Sequence, residues 1–221
     1  MMLKLSVQDT LVPGENLETK FANAVAAGYD AIELRAKPGA FAERADEFRS
    51  AVAAGVRIAS ACMDAGTGYL GSFESDARRR ARQEIADVVT VLGEIAPAAG
   101  LVFPNGCSVF STYLPPFVPP VKRAEAISWL VEGVADVAEV AARAGVRLFL
   151  EPLNRYEDWA VNTLAQAAEV AAQVGNPVIG LCLDTFHAQI EEADLAAAVR
   201  SAGPQLQHVQ LGDSNRLEPG K

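Results

Sequence analysis

Two histidines, three cysteines, two tryptophans and an aromatic share of 7% leave this chain of 221 residues short of the side chains that mark metal clusters, disulfide frameworks and stacking platforms. Cys62, Cys107 and Cys182 lie far apart and form no CxxC pair, which excludes a disulfide framework and a cysteine-based zinc site and points to a reducing cytoplasm. Basic residues are also few, 19 Lys and Arg against 28 Asp and Glu, for a net charge of −9. A binder of nucleic acid needs a basic surface to displace counterions, so no nucleic-acid partner is expected. No uncharged apolar run reaches the roughly 18 residues of a membrane span. The opening MMLKLSVQDTLVPG lacks the apolar centre of a signal peptide. The expectation is a soluble cytoplasmic protein acting on a small molecule, with no membrane partner.

Half of the residues are hydrophobic, enough for a proper core, and their order is informative. Seven short apolar runs read as strands: 3–7, 31–35, 56–63, 100–105, 146–153, 178–184 and 207–213. Helical spacing fills the gaps. Leu17, Phe21 and Val25 step by four towards Gly28; Phe41, Ala45, Phe48 and Val52 lead to Gly55; Ile85, Val88, Val89, Leu92 and Ile95 form a third stripe. Ile127, Leu130, Val131, Val134 and Ala138 end at Gly145; Leu164, Ala168 and Ala171 follow the capping pair Asn162-Thr163; Ile190, Leu195 and Val199 make a weaker sixth. Strands this apolar, each followed by a helix, need cover on both faces and form a parallel sheet. Polar residues at the C-terminal ends of many successive strands favour a (β/α)8 TIM barrel over an open doubly wound sheet. Seven strands are one fewer than a barrel has, so residues 1–221 read as a single barrel domain short of its C-terminal eighth βα unit. Long loops at 64–76 and 106–122 follow strand ends and should lie over the active face.

Several signals carry less than they suggest. Gly66, Gly68 and Gly71 match G-x-G-x-x-G, but Ser72 to Asp76 delay the helix that a dinucleotide turn leads into directly. Arg78, Arg79, Arg80 and Arg82 read as a solvated helix face, with a phosphate contact as the sharper alternative. Pro115, Pro116, Pro119 and Pro120 read as a stiffened loop over Phe117, and Cys182 as a small core residue.

Chemistry gathers at the last three strand ends. RLFLEPLNRYE carries Glu151 and Glu157, IGLCLDTFH carries Asp184 and His187, and QHVQLGDSNR carries His208, Gln210 and Arg216. Alternation along a strand puts Phe149 with Glu151, Cys182 with Asp184, and His208 with Gln210. One acidic residue after a strand is an ordinary helix cap. Facing inward together, Glu151, Asp184 and Gln210 place two carboxylates where mutual repulsion requires relief. A divalent cation supplies it, and oxygen donors favour Mn²⁺ or Mg²⁺, with Co²⁺ or Zn²⁺ as further candidates.

EPLNRYE (151–157), LDTFH (183–187) and DSNRLEPG (213–220) together resemble the xylose isomerase-like barrel superfamily, in its sugar phosphate isomerase/epimerase branch. Ketose 3-epimerases, hydroxypyruvate isomerases, inosose dehydratases and, distantly, endonuclease IV belong there. The resemblance implies that Glu151 is a metal ligand and the catalytic acid/base and Asp184 a second ligand. The third position is Gln210, where ketose epimerases have His and hydroxypyruvate isomerases have Gln, with His208 in reserve. Glu157, His187 and Arg216 match substrate-binding positions. A fourth ligand, a Glu on the eighth strand, falls beyond residue 221. The implied activity is divalent-metal-dependent isomerisation or epimerisation of a small sugar or hydroxy-carbonyl compound, through proton abstraction beside a carbonyl and a metal-stabilised enediolate. The partners implied are a sugar or sugar phosphate and a second copy in a homodimer. The alternatives are an inosose-type dehydratase on the same site and a non-catalytic sugar-binding barrel. The many His ligands and several metals of a nuclease site do not fit two histidines and a net charge of −9.

Overall fold

Each apolar run expected as a strand pairs with the next, and each helical stripe packs over the crossover between them. The structure, a computed structural model, describes residues 3–64, 66–104, 118–217 and 219–220. In chain order the elements are β1 (Ser6–Gln8), α1 (Leu17–Ala26), β2 (Ala31–Ala36), α2 (Ala40–Glu43), α3 (Ala45–Ala53), β3 (Ile58–Met63) and α4 (Ser75–Ile95). There follow β4 (Gly100–Pro104), α5 (Arg123–Ala144), β5 (Arg147–Glu151), α6 (Leu164–Val174), β6 (Ile179–Asp184), α7 (Thr185–Glu191), α8 (Leu195–Ala202) and β7 (Leu206–Gln210).

The sheet order is β1-β2-β3-β4-β5-β6-β7, and all six pairings are parallel. An open doubly wound sheet reverses its order at a switch point, and this one does not. It curls instead. Gln210 Nε2 and His208 Nε2 on β7 each stand 3.0 Å from a Glu33 carboxylate oxygen on β2, across the interior. The result is a TIM barrel lacking its final unit.

Side-chain alternation divides the apolar residues between two cores. Ile32, Leu34, Leu101, Phe103, Leu148, Leu150 and Leu181 face outward and are buried beneath the helices. Val102, Phe149 and Cys182 form a smaller cluster inside the curl, with Cys62 against it. Phe149 and Glu151 therefore share the inner face, as do Cys182 with Asp184 and His208 with Gln210.

Two helical stripes turn out broken. The stripe through Phe41 and Val52 is interrupted at Arg44, whose φ of −93° and ψ of 6° leave the helical region between α2 and α3. The sixth stripe divides because Asp194 accepts from Ala197 N at 2.9 Å and starts α8 anew. The first strand begins later than expected, at Ser6 rather than residue 3. α5 ends at Gly145 in the left-handed conformation, φ 71°.

The weaker motifs resolve into ordinary structure. Thr67 N binds Glu84 on α4 at 3.1 Å, and α4 starts only at Ser75, so the glycines at 66, 68 and 71 make no dinucleotide turn. Arg79 pairs with Asp76, Arg82 with Glu132 and Asp136, and Arg78 lies over the Trp129 ring. Cys107, Pro115, Pro116, Phe117 and most of the 106–122 loop lie outside the described residues. No described helix is long and apolar enough to cross a membrane.

Candidate active site

β5 and β6 end side by side and deliver the two carboxylates. Register pairs Leu150 with Leu181, so Glu151 stands level with Cys182, one inward position below Asp184. The longer Glu side chain spans that step. One ligand atom each from Glu151, Asp184 and His187 lies within 4.8 Å of the others. His187 Nε2 is 4.0 Å from Glu151 Oε1 and 3.9 Å from Asp184 Oδ2.

Asp184 serves two structures at once. It is the N-cap of α7, accepting from Phe186 N at 2.7 Å through Oδ1, while Oδ2 faces the imidazole. The cap thus fixes the carboxylate's rotamer and turns one oxygen to the site. His187 follows in the first turn of the same helix and is 4% exposed. Its Nδ1 accepts from Asn154 N at 3.1 Å, with Asn154 Nδ2 2.8 Å away. An imidazole nitrogen that accepts carries no proton, so the neutral ring bears its hydrogen on Nε2, directed at the carboxylates. Burial pushes the His187 pKa down, against the upward pull of Asp184 and Glu157, which keeps the ring neutral.

Asn154 was not singled out from the sequence, although it sits inside EPLNRYE, and it links the site to its rim. Besides His187 it reaches Glu157 Oε1 at 3.3 Å, and its Oδ1 accepts from Tyr156 N at 2.9 Å. Glu157 in turn pairs with Arg216, whose guanidinium lies 3.8 Å above the centre of the Phe186 ring. Glu157, His187 and Arg216 therefore form one connected arc beside Glu151 and Asp184. Among the described residues the arc stays within the segments that directly follow β5, β6 and β7, including the first turn of α7, on the C-terminal face where barrel enzymes hold their active sites.

β7 supplies the remaining residues. Gln210 pairs in register with Asp184 and faces inward beside it. His208, one inward step lower, stacks on Phe149 with 5.2 Å between ring centres and gives Nε2 to Glu33. Glu33 is the second residue that sequence reading passed over; a lone acid in the apolar run AIELR was its only signal. It is 4% exposed and accepts from Ser60 Oγ at 2.7 Å, Gln8 Nε2 at 3.1 Å, His208 and Gln210. Burial pushes its carboxyl up, but His208, Ser60 and Gln8 outweigh burial and hold it below the usual carboxylate range.

The opposite balance holds at Glu151. Burial, then repulsion from Asp184, Glu33 and Glu157, drive its carboxyl well above the usual range, and Arg216 offsets this only in part. A buried carboxylate raised by its neighbours, with a second carboxylate and an amide alongside, is a donor set of hard oxygens that suits a divalent cation. His187, presenting N–H, is suited instead to donate to an oxygen.

A family profile described as xylose isomerase-like TIM barrel matches residues 21–221. The chain is 29% identical to 3-dehydro-D-guloside 4-epimerase of Escherichia coli in an alignment covering 99% of this chain and 82% of that enzyme. It is 40% identical to D-psicose 3-epimerase of Agrobacterium fabrum over 46% of this chain and 35% of that enzyme. Among solved structures, the apo form of 3-keto-D-glucoside 4-epimerase from E. coli superposes with a TM-score of 0.88 at 28% identity, covering all of this chain and 82% of that one. A D-psicose 3-epimerase crystallised in the presence of D-fructose gives a TM-score of 0.80 at 26% identity, covering 99% of this chain and 76% of that one. With the profile matched over nearly its whole length, the chain belongs to the xylose isomerase-like TIM barrel family.

Proposed function

We propose that the chain is a divalent-cation-dependent sugar epimerase acting at a carbon next to a ketone. The reading is carried by the buried Glu151 and the half-buried Asp184 beside it, with the Nε2–H of His187 directed at both. The names of the relatives support the substrate class. In a 3-keto sugar C4 lies beside the carbonyl, and in a 2-ketose C3 does, so 4-epimerases of the first and 3-epimerases of the second move the same kind of proton.

Glu151, Asp184 and Gln210 are the residues to hold Mn²⁺ or Mg²⁺, which supplies Lewis acidity that acidifies the C–H bond. Glu151 takes the proton, the C–H electrons move into the C–C bond, and the carbonyl electrons move onto oxygen. His187 donates Nε2–H to that oxygen, with Asn154 holding its other nitrogen. Delivery of a second proton to the opposite face, while Glu151 keeps the first, completes epimerisation, and the eighth-strand Glu that the resemblance implies as a fourth ligand would supply it. Glu157 and Arg216, bound to each other on the rim, would hold sugar hydroxyls.

The test is NMR detection of solvent deuterium entering 3-keto glycosides, free 2-ketoses and hydroxypyruvate in D₂O, with and without Mn²⁺. Deuterium should enter only at the carbon beside the ketone and only with the cation. Glu151→Gln should slow it by about 100-fold or more. A protein that binds Mn²⁺ but exchanges no proton in any of these sugars overturns the epimerase reading in favour of dehydration or sugar binding without turnover.

A further inference from the structure

The mechanism above leaves Glu33 without a task, although it is buried on the inner face and hydrogen-bonded to a proposed ligand. We infer that Glu33 is a positioning residue: it fixes the side-chain amide of Gln210 with Nε2 turned into the barrel and Oε1 turned to the carboxylate pair, making residue 210 an oxygen donor to the cation. This rests on the cation reading given above and adds a residue to it.

The two ends of a glutamine amide are nearly equal in size, so only hydrogen bonds choose between them. An amide presenting Nε2 to the site would put partial positive charge against a cation. Glu33 removes that choice. Its Oε1 receives Gln8 Nε2 at 3.1 Å and Gln210 Nε2 at 3.0 Å, and its Oε2 receives Ser60 Oγ at 2.7 Å and His208 Nε2 at 3.0 Å. Two oxygens with four donors form a carboxylate with no proton to offer, so whatever Gln210 presents to it must be N–H.

The amide is planar, so with Nε2 on Glu33 its Oε1 lies on the far side of Cδ. Gln210 pairs in register with Asp184 on the neighbouring strand, so its backbone stands beside the end of β6 that carries the carboxylate, and its amide also hydrogen-bonds with Cys62 on β3. The Glu33 backbone is itself fixed, since β2 pairs with both neighbours and Glu33 sits opposite Gln8 on β1 and Ser60 on β3. Two of its four donors, Gln8 and Ser60, lie on strands other than β7, and a third, His208, is a different residue of β7, so the carboxylate's position does not depend on Gln210 alone.

The experiment compares Mn²⁺ affinity, by calorimetry, in the wild-type chain, E33Q, and the exchange variant E33Q/Q210E. Residues supporting a metal ligand from behind typically change affinity by 10- to 100-fold, so E33Q should bind about 10-fold more weakly or worse. The exchange variant should recover most of the loss, because a carboxylate at 210 offers oxygen whichever way it turns. A role confined to holding the barrel together predicts no such recovery.

NMR of the wild-type chain tests the orientation without a mutation that could unfold it. The Gln210 side-chain amide protons should exchange slowly with solvent, and Mg²⁺ should shift its Cδ resonance. Fast exchange of those protons, or E33Q binding Mn²⁺ as tightly as wild type, overturns the role of Glu33. Wild-type protein that binds no Mn²⁺ brings down the cation reading itself, a separate outcome.

Discussion

Glu33 and Glu151 are both buried acids on the inner face, yet their environments push their ionisation in opposite directions. The difference lies in what surrounds them. Glu33 has four donors, whereas Glu151 has Asp184 as its strongest charged neighbour and the Nε2 of His187 only at 4.0 Å. One acid is thereby fixed as an anion that organises the interior, and the other is left as a group that gains from taking up a proton or a cation. Phe149, one inward step below Glu151, stacks on the His208 that contacts Glu33, and a missing side chain makes room for it. A Cβ built on Gly100 would fall 1.9 Å from Phe149 Cε2, a clash that only movement of the ring relieves. Gly100→Ala should therefore lower stability by about 1–3 kcal/mol, read as a lower urea midpoint at unchanged slope. Shortening the ring in a Gly100→Ala/Phe149→Leu double variant should restore part of it.

At the scale of elements, the site depends on how helices and loops begin. The loop from β5 to α6 is tied down along its length. Asp158 Oδ1 accepts from Ala160 N at 2.6 Å, and Asn162 Nδ2 gives to the Leu153 and Asp158 carbonyls at 2.8 and 2.9 Å. It closes in a capping box, with Thr163 Oγ1 accepting from Gln166 N and Gln166 Oε1 from Thr163 N, each at 3.3 Å. Thr163→Ala should cost about 1 kcal/mol, lowering the melting temperature by about 2–4 °C in a chain of this size. Mn²⁺ affinity should be unchanged, because Thr163 touches none of the proposed ligands.

Elements of this kind were the legible part of the sequence. Apolar runs of strand length and stripes ending in Gly28, Gly55 and Gly145 are local signals, and all seven strands formed where such a run occurs. The breaks at Arg44 and Asp194 were not legible, because apolar spacing continues across both. EPLNRYE and LDTFH pointed to the neighbourhood of the site through the family resemblance. The partnership of Asn154 with His187 spans 33 residues and depends on β5 and β6 pairing side by side, while that of Gln210 with Glu33 spans 177 and depends on the curl of the sheet.

That curl is also what couples the whole molecule to its site. β5, β6 and β7 carry the carboxylates and the amide, while β2 carries the acid against which the amide is set. A cation drawing Glu151, Asp184 and Gln210 together therefore cross-links three strands and, through Gln210, braces a fourth. It also removes the repulsion that burial leaves between Glu151 and Asp184. Binding confined to the folded chain stabilises it by mass action, about 2.7 kcal/mol when free cation is 100 times its dissociation constant. At about 2–4 °C per kcal/mol, the melting temperature should rise by about 5–11 °C with Mn²⁺ and return to its starting value with excess chelator. Glu151→Gln separates the two contributions. Without its charge the metal-free protein should melt above the metal-free wild type, since Asp184 then faces a neutral amide, while Mn²⁺ should no longer raise the melting temperature. A Glu151→Gln protein that melts below the metal-free wild type would mean that repulsion within the pair is not what the cation relieves.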